Sequence, residues 1–431
     1  MKVLCSILGS LFVSFVYGQN PLVPGYFADP SIRYMDGKYY LSITSDGYDE
    51  HNGEPFLWVS DNLVDWNIEY LDINDRFFWA PSMLKGDNGK YYMVRQQGVD
   101  YLAYILEADA PQGPWQEIIQ VKDFDVELFR DPKTGQIMGI GSWKNLLVFD
   151  NDIHSPNYMR KVVSSTPIKG ELTDFTEAPY MFTKDSKYYL MWAGGHCWLD
   201  SYNVRYAVTD ALDQPFREFS KEPILESLPE KQLYGPGHTS VLEVNGRWLL
   251  FYHRQDPKRY PTCNYRFSCV AEMFFSPEGQ ITKVVPLDDL RSLGLGLSNP
   301  TNIALNKPVV ASASASDDFL AAFLTDGRND SRWQSVQAED QWVTIDLEDE
   351  TEISRIQIEF EYFDRFYLYE IQYSSDNENW HTYADYTHRA LKGYQTRTSE
   401  KTVSARYIKI NIKRAERDYA SIWEIKVFSS K

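Results

Sequence analysis

Asp36-Gly37-Lys38-Tyr39-Tyr40 returns as Asn88-Gly89-Lys90-Tyr91-Tyr92 and again as Asp185-Ser186-Lys187-Tyr188-Tyr189, and the reading of these stretches decides the fold. Weaker copies stand at Thr134-Gly135-Gln136 and Asn245-Gly246-Arg247-Trp248. Each begins as a polar tight turn and runs into an alternating apolar stretch such as Trp248-Leu249-Leu250-Phe251-Tyr252, the sequence form of a β-hairpin. Five copies at a period of roughly 50 residues predict a five-bladed β-propeller, each blade a four-stranded sheet. A second element keeps step with the first. It reads Ser60-Asp61-Asn62-Leu63-Val64-Asp65-Trp66, then Ala108-Asp109-Ala110-Pro111-Gln112-Gly113-Pro114-Trp115, then Thr209-Asp210-Ala211-Leu212 ahead of Phe216, and it suits the outer hairpin of a blade. A pair of β-sandwiches is the competing architecture, and five matched copies weigh against it.

The chain has 431 residues, enough for two to four domains at roughly 100–200 residues each. Thirty Tyr and 12 Trp raise the aromatic share to 15%, which favours strands and offers flat platforms for sugars. Sixty-one acidic against 43 basic side chains give a net charge of −18, a field that repels polyphosphate and argues against a nucleic-acid partner. Lys2 followed by the apolar run Val3 to Phe15 and the small-residue end Val16-Tyr17-Gly18 predicts a cleaved signal peptide over residues 1–18. The expectation is a secreted or periplasmic protein with no membrane span after cleavage. Cys5 leaves with the signal, so Cys197, Cys263 and Cys269 remain; a bridge between Cys263 and Cys269 within one loop is open, with Cys197 a buried thiol. No CxxC or HExxH spacing for zinc occurs.

Eight to ten residues before each turn, where a blade's innermost strand should begin, stand Ala28-Asp29-Pro30, Trp79-Ala80-Pro81, Phe124-Asp125-Val126, Glu177-Ala178-Pro179 and Gly237-His238-Thr239. In a propeller these ends converge on one mouth. Three carboxylates beside an aromatic platform suit hydrolysis of a glycosidic bond, where one acid protonates the departing oxygen and one base activates water.

This constellation resembles glycoside hydrolase family 43, five-bladed inverting glycosidases, over about residues 22 to 285. The resemblance implies Asp29 as general base, Glu177 as general acid and Asp125 as the aspartate that orients the acid and tunes its pKa. It implies sugar contacts from Trp79, His238 and Arg266, and chemistry without a cofactor. Two departures stand out: Ala178 where many xylosidases of the family carry Gly, and Val126 after Asp125 where Pro is usual. Asp123, two residues earlier on the same strand face, therefore competes for the orienting role. His238 is read as a sugar contact, a ligand to a central cation or a core histidine. His196 and His253 are read as structural or rim residues.

The tandem pattern stops at Gly294, Gly296, Ser298, Asn299 and Pro300, which sets a catalytic propeller over 19–297 and a second domain over 298–431. Trp342-Val343-Thr344-Ile345-Asp346-Leu347 and Ala405-Arg406-Tyr407-Ile408-Lys409-Ile410 alternate as strands of a β-sandwich. The ordered set resembles the discoidin, or coagulation factor V/VIII type C, jelly roll, which includes family-32 carbohydrate-binding modules. Trp333 and Trp342 are expected in its core, and the loop with Phe363, Arg365 and Tyr367 is a candidate glycan contact. The resemblance also implies a structural Ca²⁺ beside Asp326 and Glu424, with a turn-capping aspartate as the alternative. The expected function is an exported exo-glycosidase on plant-type polysaccharide side chains, α-L-arabinofuranosides first, β-D-xylosides or galactan next. A catalytically inactive glycan-binding protein is the alternative from another class. The second domain is expected to be separable from the propeller.

Overall fold

The computed structural model describes residues 21–48, 52–73, 78–97, 101–288, 290, 301–390 and 396–429. The segment 1–18 and the junction at 297–298 lie outside them.

Five antiparallel sheets follow one another along the chain. The first blade is β1 (Phe27–Met35), β2 (Lys38–Ser45), β3 (Phe56–Ser60) and β4 (Asn67–Tyr70). The second is β5 (Trp79–Lys85), β6 (Tyr91–Gln97), β7 (Leu102–Ala108) and β8 (Gln116–Lys122). The third is β9 (Glu127–Arg130), β10 (Ile137–Gly141), β11 (Asn145–Phe149) and β12 (Val162–Pro167). The fourth is β13 (Phe175–Lys184), β14 (Lys187–Gly194) and β15 (Asn203–Thr209), and the fifth β16 (Gly237–Val244), β17 (Arg247–Gln255), β18 (Arg266–Phe275) and β19 (Ile281–Leu287). The fourth blade thus has three strands where four were expected. Beyond β15 only single bridges form, Val208 to Arg217 and Val204 to Leu225. Pro215 and Pro223 lie in that stretch and cannot donate to a ladder.

The repeated turns close the first hairpins. Asp36 and Gly37 (φ 50° and 82°), Asp185 and Ser186 (49° and 62°) and Asn245 and Gly246 (52° and 79°) all hold the paired positive φ of a type I′ turn. The second repeated element fills one slot near the blade rim: the indoles of Trp66 and Trp115 donate to the carbonyls of Leu63 (3.0 Å) and Pro111 (3.1 Å), and Phe216 is buried.

The inner strands begin alike. Asp29, Ala80, Asp125, Ala178 and His238 each adopt positive φ, between 40° and 55°. In four of the blades the ladder slips at that place, between Ala28 and Ser31, Trp79 and Ser82, Glu177 and Tyr180, and Gly237 and Ser240. Such a bulge re-aims side chains out of the pleat, here toward the channel mouth. Deeper in the channel, Arg33 spans the axis. Its guanidinium donates to the Glu127 carboxylate and the Leu128 carbonyl (2.8 Å) of the third blade, to the Tyr180 hydroxyl of the fourth (3.2 Å) and to the Ser82 hydroxyl of the second (3.5 Å). The fifth blade is clamped to the first by the Ser240 hydroxyl, which donates to the Pro30 carbonyl (2.8 Å) and accepts the Ile32 N–H (3.1 Å).

The second domain is antiparallel and sandwich-like, built from β20 (Val309–Ala311), β21 (Trp333–Gln334), β22 (Glu339–Phe360), β23 (Tyr367–Ser374), β24 (His381–Asp385), β25 (Thr396–Ala415) and β26 (Ser421–Phe428). The long strand β22 pairs β25 along its length and β26 near its end. Val343, Ile345, Ile356, Ile358, Ile408, Ile410 and Trp423 are buried in its core. Trp333 is fully buried as expected; Trp342 is not, because it sits on the opposite pleat from Val343 and faces outward.

The loop read as a glycan contact docks on the propeller instead. Phe363 is fully buried, 4.9 Å from the Phe56 ring and 5.1 Å from Tyr48, and its carbonyl accepts from the Tyr70 hydroxyl (2.6 Å). Tyr367 is buried, and Arg365 lies near Asp364 and Glu416. Arg254, fully buried on β17, pairs with Asp330 of the second domain at 2.6 Å. An aromatic loop gains more from burial against other rings than from water. Buried residues of the two domains therefore form one continuous core.

Candidate active site

Asp29 stands at the β1 bulge, 5% exposed. The Thr44 hydroxyl, at the end of β2, donates to its Oδ2 at 2.7 Å and accepts the Ala80 N–H at 2.8 Å, so one side chain ties two blades to the carboxylate. Arg266, at the start of β18, reaches Oδ1 with Nη1 (3.0 Å) and Asp46 Oδ2 with Nε (2.8 Å). Nδ1 of His238 and of His253 lie 3.3 and 3.2 Å from the same Oδ1. Burial pushes the Asp29 carboxyl up, but the Arg266 guanidinium, His238 and the His253 hydrogen bond together hold it well below the usual carboxylate range. Burial and the Arg266 charge push His253 down to about 4, so its ring is neutral at neutral pH.

Asp125 occupies the same place in the third blade and its main-chain N–H donates to Gln96 Oε1 (2.9 Å). Burial, then the charge of Glu177, then that of Asp29, push its carboxyl well above the usual range. Glu177 precedes the fourth blade's bulge, and the Tyr202 hydroxyl donates to its Oε1 at 2.7 Å. Tyr202 in turn lies parallel to the His253 ring at 5.9 Å. The mouth thus joins a carboxylate held down by cations to a second carboxyl, Asp125, that is held up beside Glu177. That is a site able to activate water at one position and to protonate a leaving group at another.

Residues 18–281 match the family model described as glycosyl hydrolases family 43. This chain belongs to that family. Residues 308–425 match the F5/8 type C domain. Among curated relatives, a beta-D-galactofuranosidase of Aspergillus niger is 23% identical over 308 residues, covering 62% of this chain and 84% of its own. A beta-xylosidase of Bacillus subtilis is 24% identical over 274 residues, 54% of this chain, which spans 48% of that relative's length. A solved glycoside hydrolase superposes with a TM-score of 0.80 at 23% identity, covering 95% of this chain and 99% of its own, and so has the same two-domain fold.

Within this family-43 propeller the other sequence-derived residues are placed as follows. Asp123 is fully buried behind the blade, where its Oδ1 accepts the N–H groups of Phe124 (2.9 Å) and Trp143 (3.0 Å). A Cβ on Gly141 would come within 2.0 Å of its carboxylate, so Asp123 fills the space under the β10–β11 turn, apart from Asp29 and Glu177. Trp79 is half-buried on β5 and pairs across the ladder with Gln96, the residue that holds Asp125. Arg266 spends its guanidinium on Asp29 and Asp46. His196 is exposed and stacks on Trp198 (5.4 Å).

Thr44 and Tyr202 escaped the sequence reading, and His253, read as a structural or rim residue, stands against Asp29 in the site. The signal for Thr44 and His253 was the hairpin register. Thr44 lies opposite Ala28 and His253 opposite Gly237, so the far end of each second strand comes back beside a first-strand motif. The disulfide was also misread. Cys197 bridges Cys263, with Cα atoms 5.2 Å apart across 66 residues, and Cys269 is the buried free thiol. Cys269 lies on β18 with its side chain in the core, whereas Cys263 lies in the loop before that strand. The bridge ties the β14–β15 loop, which carries Tyr202, to the β17–β18 loop.

Asp326 and Glu424 do come together, and the Asp326 charge raises the pKa of Glu424. Burial and then that repulsion act on Glu424, which is pushed well above the carboxylate range, with Lys426 opposing. Burial pushes Asp326 up to about 6. Asp326 already accepts the Arg328 N–H (2.9 Å) and the Ser331 hydroxyl (2.7 Å), which is turn capping. Ca²⁺ takes six to eight oxygens. Glu424 Oε2 is buried without a partner, yet among the described residues no group of three His, Cys, Asp or Glu side chains is placed to hold a metal. The side chains here do not make the expected Ca²⁺ shell.

Proposed function

We propose that the chain is an exported, inverting exo-glycosidase acting on side chains of plant-type polysaccharides, with α-L-arabinofuranosides as its first substrate class. The observation that carries the reading is the opposite surroundings of the mouth's carboxyls: Arg266 and two histidines crowd Asp29 and drive its pKa down, while Asp125 is buried beside Glu177 and Asp29 and is driven up. In this proposal Asp29 takes a proton from the attacking water, Glu177 gives one to the departing oxygen, and Asp125 positions Glu177. Trp79, His238 and Arg266 line the sugar's place, and no cofactor enters the chemistry. Inversion requires the water to attack opposite the leaving group. A purely glycan-binding propeller has no use for carboxyls divided in this way.

The relatives' names support a furanoside or a xyloside: one is a galactofuranosidase, others are xylosidases or xylosidase/arabinosidases. A β-D-galactofuranoside is the second reading, carried by the galactofuranosidase of which this chain spans 84%. Export rests on the apolar start after Lys2. Among the described residues no helix is long and apolar enough to cross a membrane.

The purified protein tested on aryl α-L-arabinofuranoside, β-D-xyloside and β-D-galactofuranoside, with the product anomer followed by NMR, decides the matter. Turnover fastest on the arabinofuranoside with an inverted product is expected. A retained anomer removes Asp29 as base, and no turnover of any glycoside returns the reading to a binding protein.

A further inference from the structure

The second domain's docked loops leave a different part of it open to solvent. On β22 the side chains of Val343 and Ile345 point into the core, so Trp342, Thr344 and Asp346 stand on the outer face. On β25 the same alternation buries Ile408 and Ile410 and sends Tyr407 and Lys409 outward beside them. Val310 of β20 is 61% exposed on this face, and Trp380 closes it from the turn before β24. Together they line a shallow groove of about 410 Å³.

Two half-buried indoles on the outside of a sheet are unusual where core positions lie one residue away. The cation between them is more so. The Lys409 ammonium lies 5.1 Å from the Trp342 ring centre and 5.4 Å from that of Trp380, and among the described residues it has no carboxylate partner. Its cationic neighbours are paired: Arg406 grips Asp346 in two bonds (2.7 and 2.8 Å), and Lys413 lies 3.8 Å from Asp340. The pairing of Arg406 also neutralises Asp346, the one carboxylate lining the groove. What remains is a pair of flat aromatic faces flanking a single uncompensated positive charge.

We propose that this face binds an acidic polysaccharide, its sugar rings stacked on Trp342 and Trp380 and a uronate carboxylate on Lys409. The C–H face of a pyranose matches an indole, and a carboxylate on the same ring lies within reach of an ammonium beside it. Charge complementarity selects the acidic sugar: a neutral ring would leave the Lys409 charge unanswered. The chain's net charge of −18 opposes a polyanion at long range, but at physiological salt that field is screened beyond about 8 Å and the local ammonium decides. The site is separate from the catalytic mouth, so the proposal stands whichever glycoside the propeller hydrolyses.

Affinity electrophoresis of the full-length protein in gels containing polygalacturonate or glucuronoxylan, against the same polymers after carboxyl reduction, tests it. Retention by the acidic polymer is expected, weakened about tenfold by carboxyl reduction. Trp342→Ala and Trp380→Ala should each lower retention on both forms, and Lys409→Gln should abolish the difference between them. Aryl-glycoside turnover should stay unchanged in all three. Lys409→Gln keeps the aliphatic stem on the surface and guards against a tryptophan variant that fails to fold. Equal retention by acidic and reduced polymer, or wild-type retention by Lys409→Gln, overturns the proposal.

Discussion

Asp29 and Asp125 occupy the same backbone position in two blades, each with positive φ at the start of an innermost strand, and they are driven in opposite directions. Around Asp29 the neighbours are Arg266 and two histidines, and its carboxyl is held down. Around Asp125 the neighbours are the carboxylates of Glu177 and Asp29, and its carboxyl is held up. The repeated positive φ turns both side chains toward one mouth; the surrounding charge then divides their labour. Symmetry of the fold supplies the places, and its local breaking supplies the chemistry.

Removing either end of this contrast should have the largest effect. Asp29→Asn deletes the ionised group and should lower kcat/KM by about a thousandfold on every substrate. Glu177→Gln should cost as much on natural substrates but less on activated aryl glycosides, whose leaving groups need little protonation; equal loss on both kinds would break the assignment. Arg266→Gln withdraws the main cation from Asp29. The carboxyl should then ionise at higher pH, so the acid limb of the kcat/KM profile moves up, and an unmoved limb would show that the histidines suffice. Asp125→Asn keeps the shape and removes the second negative charge. With that charge gone from beside Glu177, the alkaline limb should move down, and the rate should fall by about tenfold. Asp123→Asn, by contrast, should lower the melting temperature and leave both limbs in place.

The smallest effect concerns a partly buried carboxyl whose burial outweighs the Arg328 charge beside it. Asp326 ionises at about 6 in the folded protein against 3.8 unfolded, so its charge opposes folding fully above pH 6 and not at all below pH 4. In chelator, Asp326→Asn should stabilise the protein by about 1–2 kcal/mol at pH 7, allowing for its partial exposure, with the gain vanishing toward pH 4. A destabilised variant at pH 7 would show that turn capping outweighs the charge.

Local signals carried most of this fold. The I′ turns and the strand-start motifs are short-range, and both could be read from Asp36-Gly37 and Ala28-Asp29-Pro30 alone. The three-stranded fourth blade was less legible, since a turn motif marks where a hairpin begins and says little about whether a fourth strand follows. Partnerships across the ring were hidden. His253 meets Asp29 across 224 residues, and its own neighbourhood reads as an ordinary apolar strand. Cys197 was assigned by proximity in sequence, while its partner was set by two loops meeting at the mouth. In the second domain, alternation was read correctly along β22 but its phase was not: Trp342 and Val343 compete for the core, and the β-branched residue won.

Arg33 has a consequence for traffic. Its guanidinium reaches from the first blade to Glu127 and the Leu128 carbonyl of the third, to Tyr180 of the fourth and to Ser82 of the second, and so obstructs the channel between them. A glycan can enter from the Asp29 side and cannot thread through. Each released sugar must back out along the path its successor needs. For the exo-glycosidase proposed above, such a one-door chamber would favour one cut per visit over sliding along a chain and would make the liberated monosaccharide a competitor for the doorway.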